Sequence, residues 1–397
     1  MLFRGFTYVL RPTPEQAEKF TQVAGVCRLV WNLALEQRRT HWRNYQARTG
    51  NNLNYVTQCR ELTVLRAEFD FVREGIQKAQ QQTLKDLDEA YHRAFKGLGG
   101  FPQPRRKGVN DTFTLAGRVI AIERLNSKWG RVRIPKIGWI KFRMTRDVAG
   151  KITEATISRT ALGWQISIGC KREGEIADVG GAVGIDRGVA VPLMLSDGTA
   201  YHLPERLALI DRRIRKAQRI ASRRKRGSAR HRKAQRRVAS LSAKRARIRK
   251  HWAHETTTAI TRRYGTVVIE RLRTKNMTKS ASGTIAEPGK NVSQKRGLNR
   301  AILNVGWHQI ETMLFYKAHR VVKVDPRHTS QTCSACGSLD SRSRKNQASF
   351  VCTACGFRSN ADLNAAINIL QRGNTPFVEP ATQAMKRELP FEEISAF

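Results

Sequence analysis

Four cysteines, Cys333-x2-Cys336-x15-Cys352-x2-Cys355, constrain the fold of this chain more than any other feature. Two CxxC pairs at such a spacing make two knuckles around one tetrahedral ion. Gly337 and Gly356 follow the pairs directly, where a knuckle has to turn tightly. Zinc suits four thiolates, and a shell closed by sulfur is structural, with no open catalytic position and no need of His319 or His328. A pair of disulfides is the alternative reading. Cys27, Cys59 and Cys170 are scattered among apolar neighbours and read as buried free thiols of a reducing cytosol.

The rest of the chain is dominated by charge. Lys and Arg number 73 against 32 Asp and Glu, a net +41, which opposes compaction unless a polyanion neutralises it. Nucleic acid is the expected partner, and a free-standing metabolic enzyme is disfavoured. Hydrophobic residues make up 40% of 397 positions, enough for real cores and too long a chain for one of them. No apolar run reaches the roughly 18–20 residues of a membrane span. Arg4 and Arg11 interrupt MLFRGFTYVLRPTPEQ before a signal-peptide core can form. The expectation is a soluble, cytoplasmic protein.

Residues 1–11 alternate as a strand ended by Pro12, and Thr13-Pro14-Glu15-Gln16 has the residues of a helix start. Helical spacing then runs to about Gly97, and GLGGFPQPRRKG (97–108) breaks it. Short runs at 112–115, 118–122, 131–134, 139–142, 152–158 and 163–168 predict a small antiparallel barrel. Strand 1–11 joins that barrel, making the helical block an insertion. Beyond a polar link (171–180), the spacing predicts two or three strands with a turn at Ser196-Asp197-Gly198. It then predicts helix over about 205–263, a strand at 266–270, a mobile loop at 278–297, a helix at about 299–319, a strand at 321–324 and a short helix at 362–370.

Three carboxylates sit where surface acids are not expected. Asp186 follows Val183-Gly184-Ile185, Glu270 ends Val267-Val268-Ile269, and Asp362 opens DLNAAINIL after Ser359-Asn360. Acids at the ends of adjacent strands, joined by one from a facing helix, can converge at a sheet edge. Converging carboxylates repel unless cations lie between them, and Mg²⁺ takes hard oxygen ligands while keeping waters and substrate phosphates. Two such ions suit phosphodiester hydrolysis. Alternatively each acid merely ends its strand or caps its helix. Arg187, directly after the first acid, either contacts a phosphate or points to solvent.

Residues 206–253 hold 20 Lys and Arg and one acid, Asp211. Apolar positions still recur at three- and four-residue spacing, so the segment reads as amphipathic helices with a turn at Arg226-Gly227-Ser228. A solvated face usually carries both signs, and nearly one sign here points to a phosphate surface. Arg212, Arg215, Arg219, Arg223 and Arg236 are its candidate contacts. In Gln77–Leu87, glutamines either present amides to a groove or simply cover a surface helix.

GIDRG (184–188), VVIERL (267–272) and CTACGFRSNADLNAAINIL (352–370) resemble the three RuvC motifs of the TnpB family, transposon-encoded RNA-guided DNA endonucleases related to miniature type V CRISPR effectors. Tyr8–Gln16 and Cys27–Asn32 are similar to that family's opening. The resemblance spans about residues 1–370, in order. It implies a multidomain α+β chain with an RNase H-like (RuvC) nuclease core at 180–330 and 358–371, carrying the basic helical region 205–263. It further implies an inserted zinc ribbon (331–357) and a wedge β-barrel (1–12 and 98–175) with an inserted helical recognition lobe (13–97). The tail (372–397), outside the resemblance, carries Pro376, Pro380 and Pro390 with mixed charge and reads as disordered. Asp186, Glu270 and Asp362 become the catalytic acids around two Mg²⁺, with one Zn²⁺ on Cys333, Cys336, Cys352 and Cys355. The implied partners are a guide RNA and target double-stranded DNA, cut next to a short motif read in the helical lobe and barrel, where Tyr55, Gln80 and Lys85 are candidates. A nuclease-inactive RNA-guided repressor and a strand-transferring transposase remain as alternatives.

Overall fold

A computed structural model of the chain describes residues 2–46, 53–284, 287–346 and 348–374. The chain divides at Glu175/Ile176 into two compact units.

The first unit is built on strand β1 (Leu2–Arg11), whose alternation puts Phe6, Tyr8 and Leu10 inside. Residues 2–9 of β1 pair antiparallel with a late strand, Gly163–Arg172, and residues 10–11 with an earlier one, Gly138–Arg143, so β1 turns the corner between two halves of the ladder. In chain order the strands are β2 (Thr112–Ala116), β3 (Ala121–Arg124), β4 (Trp129–Ile134), β5 (Gly138–Arg143), β6 (Lys151–Thr160) and β7 (Gly163–Arg172). They lie in the order β2-β6-β7-β1-β5-β4-β3 around one core that includes Phe113, Ile140, Phe142, Ile157 and Ile166. The end strands β2 and β3 do not pair with each other among the described residues, so hydrogen bonds leave the expected barrel open. The strand expected at 118–122 starts late, because Gly117–Val119 form a 3-10 turn. A Cβ on Gly117 would lie 2.0 Å from the Ile152 carbonyl oxygen, so backbone packs on backbone there.

Helix α1 (Pro14–His41) begins with the full capping box. Thr13 Oγ1 accepts from Gln16 N at 3.2 Å, and Gln16 Oε1 accepts from Thr13 N at 3.1 Å. Its first half packs Phe20, Val23, Ala24 and Cys27 onto the strand core. Its second half packs Val30, Trp31 and Leu35 onto the helices α2 (Tyr55–Glu68), α3 (Asp70–Glu74) and α4 (Gln77–Phe95). One helix serves both cores, its buried stripe running without a break from Phe20 to Leu35.

The second unit centres on a five-stranded sheet of β8 (Ala182–Asp186), β9 (Leu193–Leu195), β10 (Ala200–Tyr201), β11 (Thr266–Glu270) and β12 (Arg320–Val324), in the order β10-β9-β8-β11-β12. β8, β11 and β12 run parallel, and β9 pairs antiparallel with both β8 and β10. The inner parallel strands β8 and β11 are buried on both faces, as their near-continuous apolar runs require, while the edge strand β12 is half-buried. The basic segment forms a hairpin of α5 (Arg206–Ser222) and α6 (Ala229–Arg263), turning through Gly227 at φ 83° with Ser228 capping α6. A short helix α7 (Thr274–Met277) follows β11.

Three expectations in this unit need correction. The segment 278–297 is a loop only in part, since helix α8 already starts within Val292–Val305. The helix expected at 299–319 is two, α8 and α9 (Trp307–Phe315), because Gly306 adopts φ 79° and ends the first. Trp252, Ile302, Trp307 and Ile310 pack on one side of the sheet. On the other lies α10 (Ala361–Asn374), with Ile369 against Val268 and Val324. A Cβ on Gly184 would fall 2.2 Å from the Ala366 carbonyl oxygen of α10, so only glycine permits that approach. Helix α10 includes residues 372–374, which were expected to open the tail; residues 375–397 lie outside the described residues. Between β12 and α10 the two-stranded ribbon β13 (Ser349–Val351) and β14 (Arg358–Asn360) holds the second CxxC pair in its turn.

Candidate active site and metal centre

β8 and β11 are parallel with Ile185 opposite Ile269, so the next residues, Asp186 and Glu270, end neighbouring strands at one sheet edge. Asp362 is the second residue of α10, which crosses beneath. Its N-terminus is capped by Asn360, whose Oδ1 accepts from Asp362 N at 2.9 Å and Leu363 N at 3.2 Å. Glu270 and Asp362 are buried and Asp186 is half-buried. Burial, then the charges of Glu270 and Asp362, push the Asp186 carboxyl up to about 7, against the opposing Arg344 guanidinium. Burial also raises Glu270, opposed by the Thr329 hydroxyl, which donates to its Oε1 at 2.6 Å. Burial raises Asp362, opposed by Arg344, whose Nη2 stands 3.4 Å from its Oδ1.

Arg187 does neither of the things expected of it. Its side chain is buried, with Nη1 donating to Glu311 Oε2 at 2.9 Å and Nη2 donating to the Glu270 carbonyl oxygen. Glu311 also pairs with Lys323, and its carboxyl is held below its ordinary range in spite of burial by these two cations. The guanidinium thus fixes the end of β11 from within. Further support comes from α10. Asn368 Nδ2 donates to the carbonyls of Thr329 (2.9 Å) and Thr332 (2.7 Å), and Asn364 Nδ2 to Thr332 at 2.8 Å. Thr329, Arg344 and Glu311 carry no signal in the sequence, since each is an ordinary polar residue in a loop or on a helix.

All four sulfurs of Cys333, Cys336, Cys352 and Cys355 lie within 4.8 Å of one another. Cys333–Cys355 are 3.8 Å apart and Cys336–Cys352 3.6 Å. Zn–S bonds of about 2.3 Å in a tetrahedron separate sulfurs by about 3.8 Å, so the donor set and its spacing fit zinc. None of the four is in a disulfide. Arg344 comes from the segment between the two knuckles, and Thr329 from just before the first. Of the remaining cysteines, Cys27 and Cys170 are buried as expected, while Cys59 is half-buried.

The candidate phosphate contacts Arg212, Arg215, Arg219, Arg223 and Arg236 are all exposed. Others in the hairpin are structural: Arg245 pairs with Asp211 at 2.6 Å, and Arg249 Nη1 donates to the Leu303 carbonyl at 3.0 Å. Gln80 is a correction. It is buried completely, its amide donating to the Val72 carbonyl at 2.8 Å and its oxygen accepting from Arg66, so it cannot reach a groove. Tyr55 is half-buried against the helical core, and Lys85 is exposed, 3.9 Å from Glu89.

Three family models match: a Cas12f1-like TNB domain at 307–369, the IS605 OrfB model described as "Probable transposase" at 166–281, and a "Helix-turn-helix domain" at 1–47. The residues under the last form one strand and one long helix with its π-turn (Trp42–Gln46). The chain is 34% identical over 381 residues to the "Putative RNA-guided DNA endonuclease InsQ" of Escherichia coli, covering 94% of this chain and 92% of the relative. It is 30% identical over 391 residues to a "Putative RNA-guided DNA endonuclease" of Streptomyces pristinaespiralis, covering 93% and 89%. A Cas12f1 chain from a cryo-EM structure of a Cas12f1–sgRNA–target DNA complex shares the fold at TM-score 0.55 and 18% identity, over 90% of this chain and 83% of that one. With such identity along nearly its whole length, the chain belongs to the IS605 OrfB (TnpB) family.

Proposed function

We propose that this protein is an RNA-guided DNA endonuclease that cuts double-stranded DNA beside a short motif, by magnesium-dependent hydrolysis in a RuvC-like site. The observation that carries the reading is the meeting of Asp186, Glu270 and Asp362 from two strand ends and one helix start. Two Mg²⁺ bound there would activate water and stabilise the leaving 3′ oxygen. The residues' own roles follow from their surroundings. Asp186 feels the charge of both other acids and would hold the ions together with them. Thr329 and Arg187 hold Glu270 by side chain and backbone, and Arg344 offsets Asp362.

On this reading 180–330 and 358–371 are an RNase H-like nuclease, 331–357 a zinc ribbon, and 1–12 with 98–175 a wedge domain around the helical recognition lobe 13–97. The exposed arginines of α5 and α6 take guide RNA and heteroduplex by phosphate contacts, which need shape and charge and no base reading. Among the described residues no helix is long and apolar enough to cross a membrane.

The test is to sequence the RNA that copurifies, then to challenge the complex with a plasmid library of randomised flanks in Mg²⁺. Double-strand breaks beside one motif, abolished by Asp186→Ala, Glu270→Ala or Asp362→Ala, are expected. Strand-transfer products would install the transposase reading, which the IS605 OrfB description favours. Binding without breaks would leave a repressor.

A further inference from the structure

The helical insertion of the first unit contains a cavity of about 570 Å³, a size ordinary for small-ligand sites. Its wall is aromatic. Tyr91 and Phe95 lie with ring centroids 6.0 Å apart and planes at 29°, and Trp42 faces Phe95 at 6.4 Å and 29°. Phe101 stands edge-on to Phe95 at 5.6 Å and 84°. Rings arranged like this usually close a core, but Phe95 and Phe101 are each 58% exposed and Trp42 42%. The core of the insertion, around Trp31, Leu35, Leu84 and Leu87, is complete without these three rings.

The rim is basic, with Arg38, Arg39, Arg43 and His92 around the opening. Asp88 is the single acid among the described lining residues, and Arg38 (2.8 Å) and His92 (3.4 Å) already hold it. Arg38 also lies over the Tyr91 ring at 5.3 Å, and Arg39 donates to the Pro102 carbonyl at 3.0 Å. Arg43 makes no ion pair among the described residues. Flat π-faces beside guanidinium groups match a nucleobase with its phosphate, the base stacking and the phosphate paired. An aliphatic ligand would need neither, and a duplex would keep its bases stacked on one another.

We propose that this cavity binds one unpaired nucleotide of a nucleic acid, its base against Phe95 and its phosphate on Arg43. The site is independent of the nuclease reading, since a chain that never cuts would still have it.

To test it, full-length protein freed of nucleic acid is irradiated with short single-stranded RNA or DNA carrying 5-iodouracil, and the adducts are mapped by mass spectrometry. Adducts on Trp42, Tyr91, Phe95 or Phe101 are expected. The RNA arm would assign the nucleotide to a guide, and the DNA arm to a target strand. Phe95→Leu keeps apolar volume but removes the ring. It should cut adduct yield at Trp42 and Tyr91 about tenfold, in line with the loss of one base–aromatic stack, at unchanged melting temperature. Arg43→Gln should weaken the same adducts and lower their salt sensitivity. Adducts confined to other segments, or a Phe95→Leu protein that crosslinks like the parent, would overturn the proposal.

Discussion

Replacing Asp186 by asparagine should make the metal-free protein more stable while destroying cleavage. The Asp186 carboxyl is raised from its ordinary 3.8 to about 7, first by burial and then by Glu270 and Asp362. Between those values the folded chain keeps a proton that the unfolded chain has lost, so stability falls as pH rises from about 4 to 7. Above 7 the penalty is complete, and at about 1.4 kcal/mol per tenfold it amounts to roughly 4 kcal/mol. Asp186 is half-buried and its neighbours can relax, so about 2–4 kcal/mol is the reasonable range. For a folding unit of 150–250 residues that is on the order of 5–10 °C in melting temperature. Scanning calorimetry in EDTA at pH 8 should show Asp186→Asn melting that much higher than the parent, with the difference vanishing below about pH 4. Added Mg²⁺ should then stabilise the parent and leave the variant nearly unmoved, because only the parent binds the ions. A variant that melts at or below the parent in EDTA at pH 8 would refute the convergence of the acids.

Metal analysis should find about one zinc per chain, and chelation at neutral pH should lower the melting temperature of the second unit; zinc-free protein of unchanged stability would dismiss the metal. Gly184→Ala should destabilise by at least about 2–3 kcal/mol, measured by denaturant titration, since its Cβ would meet α10 backbone that cannot retreat. Arg187→Met leaves the Glu270 carbonyl without its buried donor and Glu311 with Lys323 alone, and should cost about 3–5 kcal/mol; thermal melts decide. Affinity for guide RNA should fall steeply with salt, and the double variant Arg212→Ala, Arg215→Ala should reduce the log–log slope by about 1–2. Salt-insensitive binding would remove the phosphate surface.

Most of the second unit was legible because its signals are local. Apolar runs ending in one acid are how buried parallel strands read, and the CxxC pairs carry their geometry in their spacing. Gly184 was legible as a motif residue, but its reason lies in α10, far along the chain. What escaped prediction is long-range. Arg187 looks solvent-directed until β11 and α9 surround it with the Glu270 carbonyl and Glu311. Gln80 has the composition of a groove reader, yet α3 bends back so that its amide satisfies the Val72 carbonyl. The break at Gly306 was missed because apolar spacing continues across it from Ile302 and Val305 to Trp307 and Ile310. The resemblance to TnpB placed the three acids in order; only the register of β8 on β11 brings Asp186 and Glu270 to the same edge, and only the packing of α10 adds Asp362.

Helix α10 is the last described element, and it delivers the third acid after the knuckles have been made. On the proposed reading, any product that stops short of that helix lacks Asp362 and with it the complete set of acids, so it would not cut.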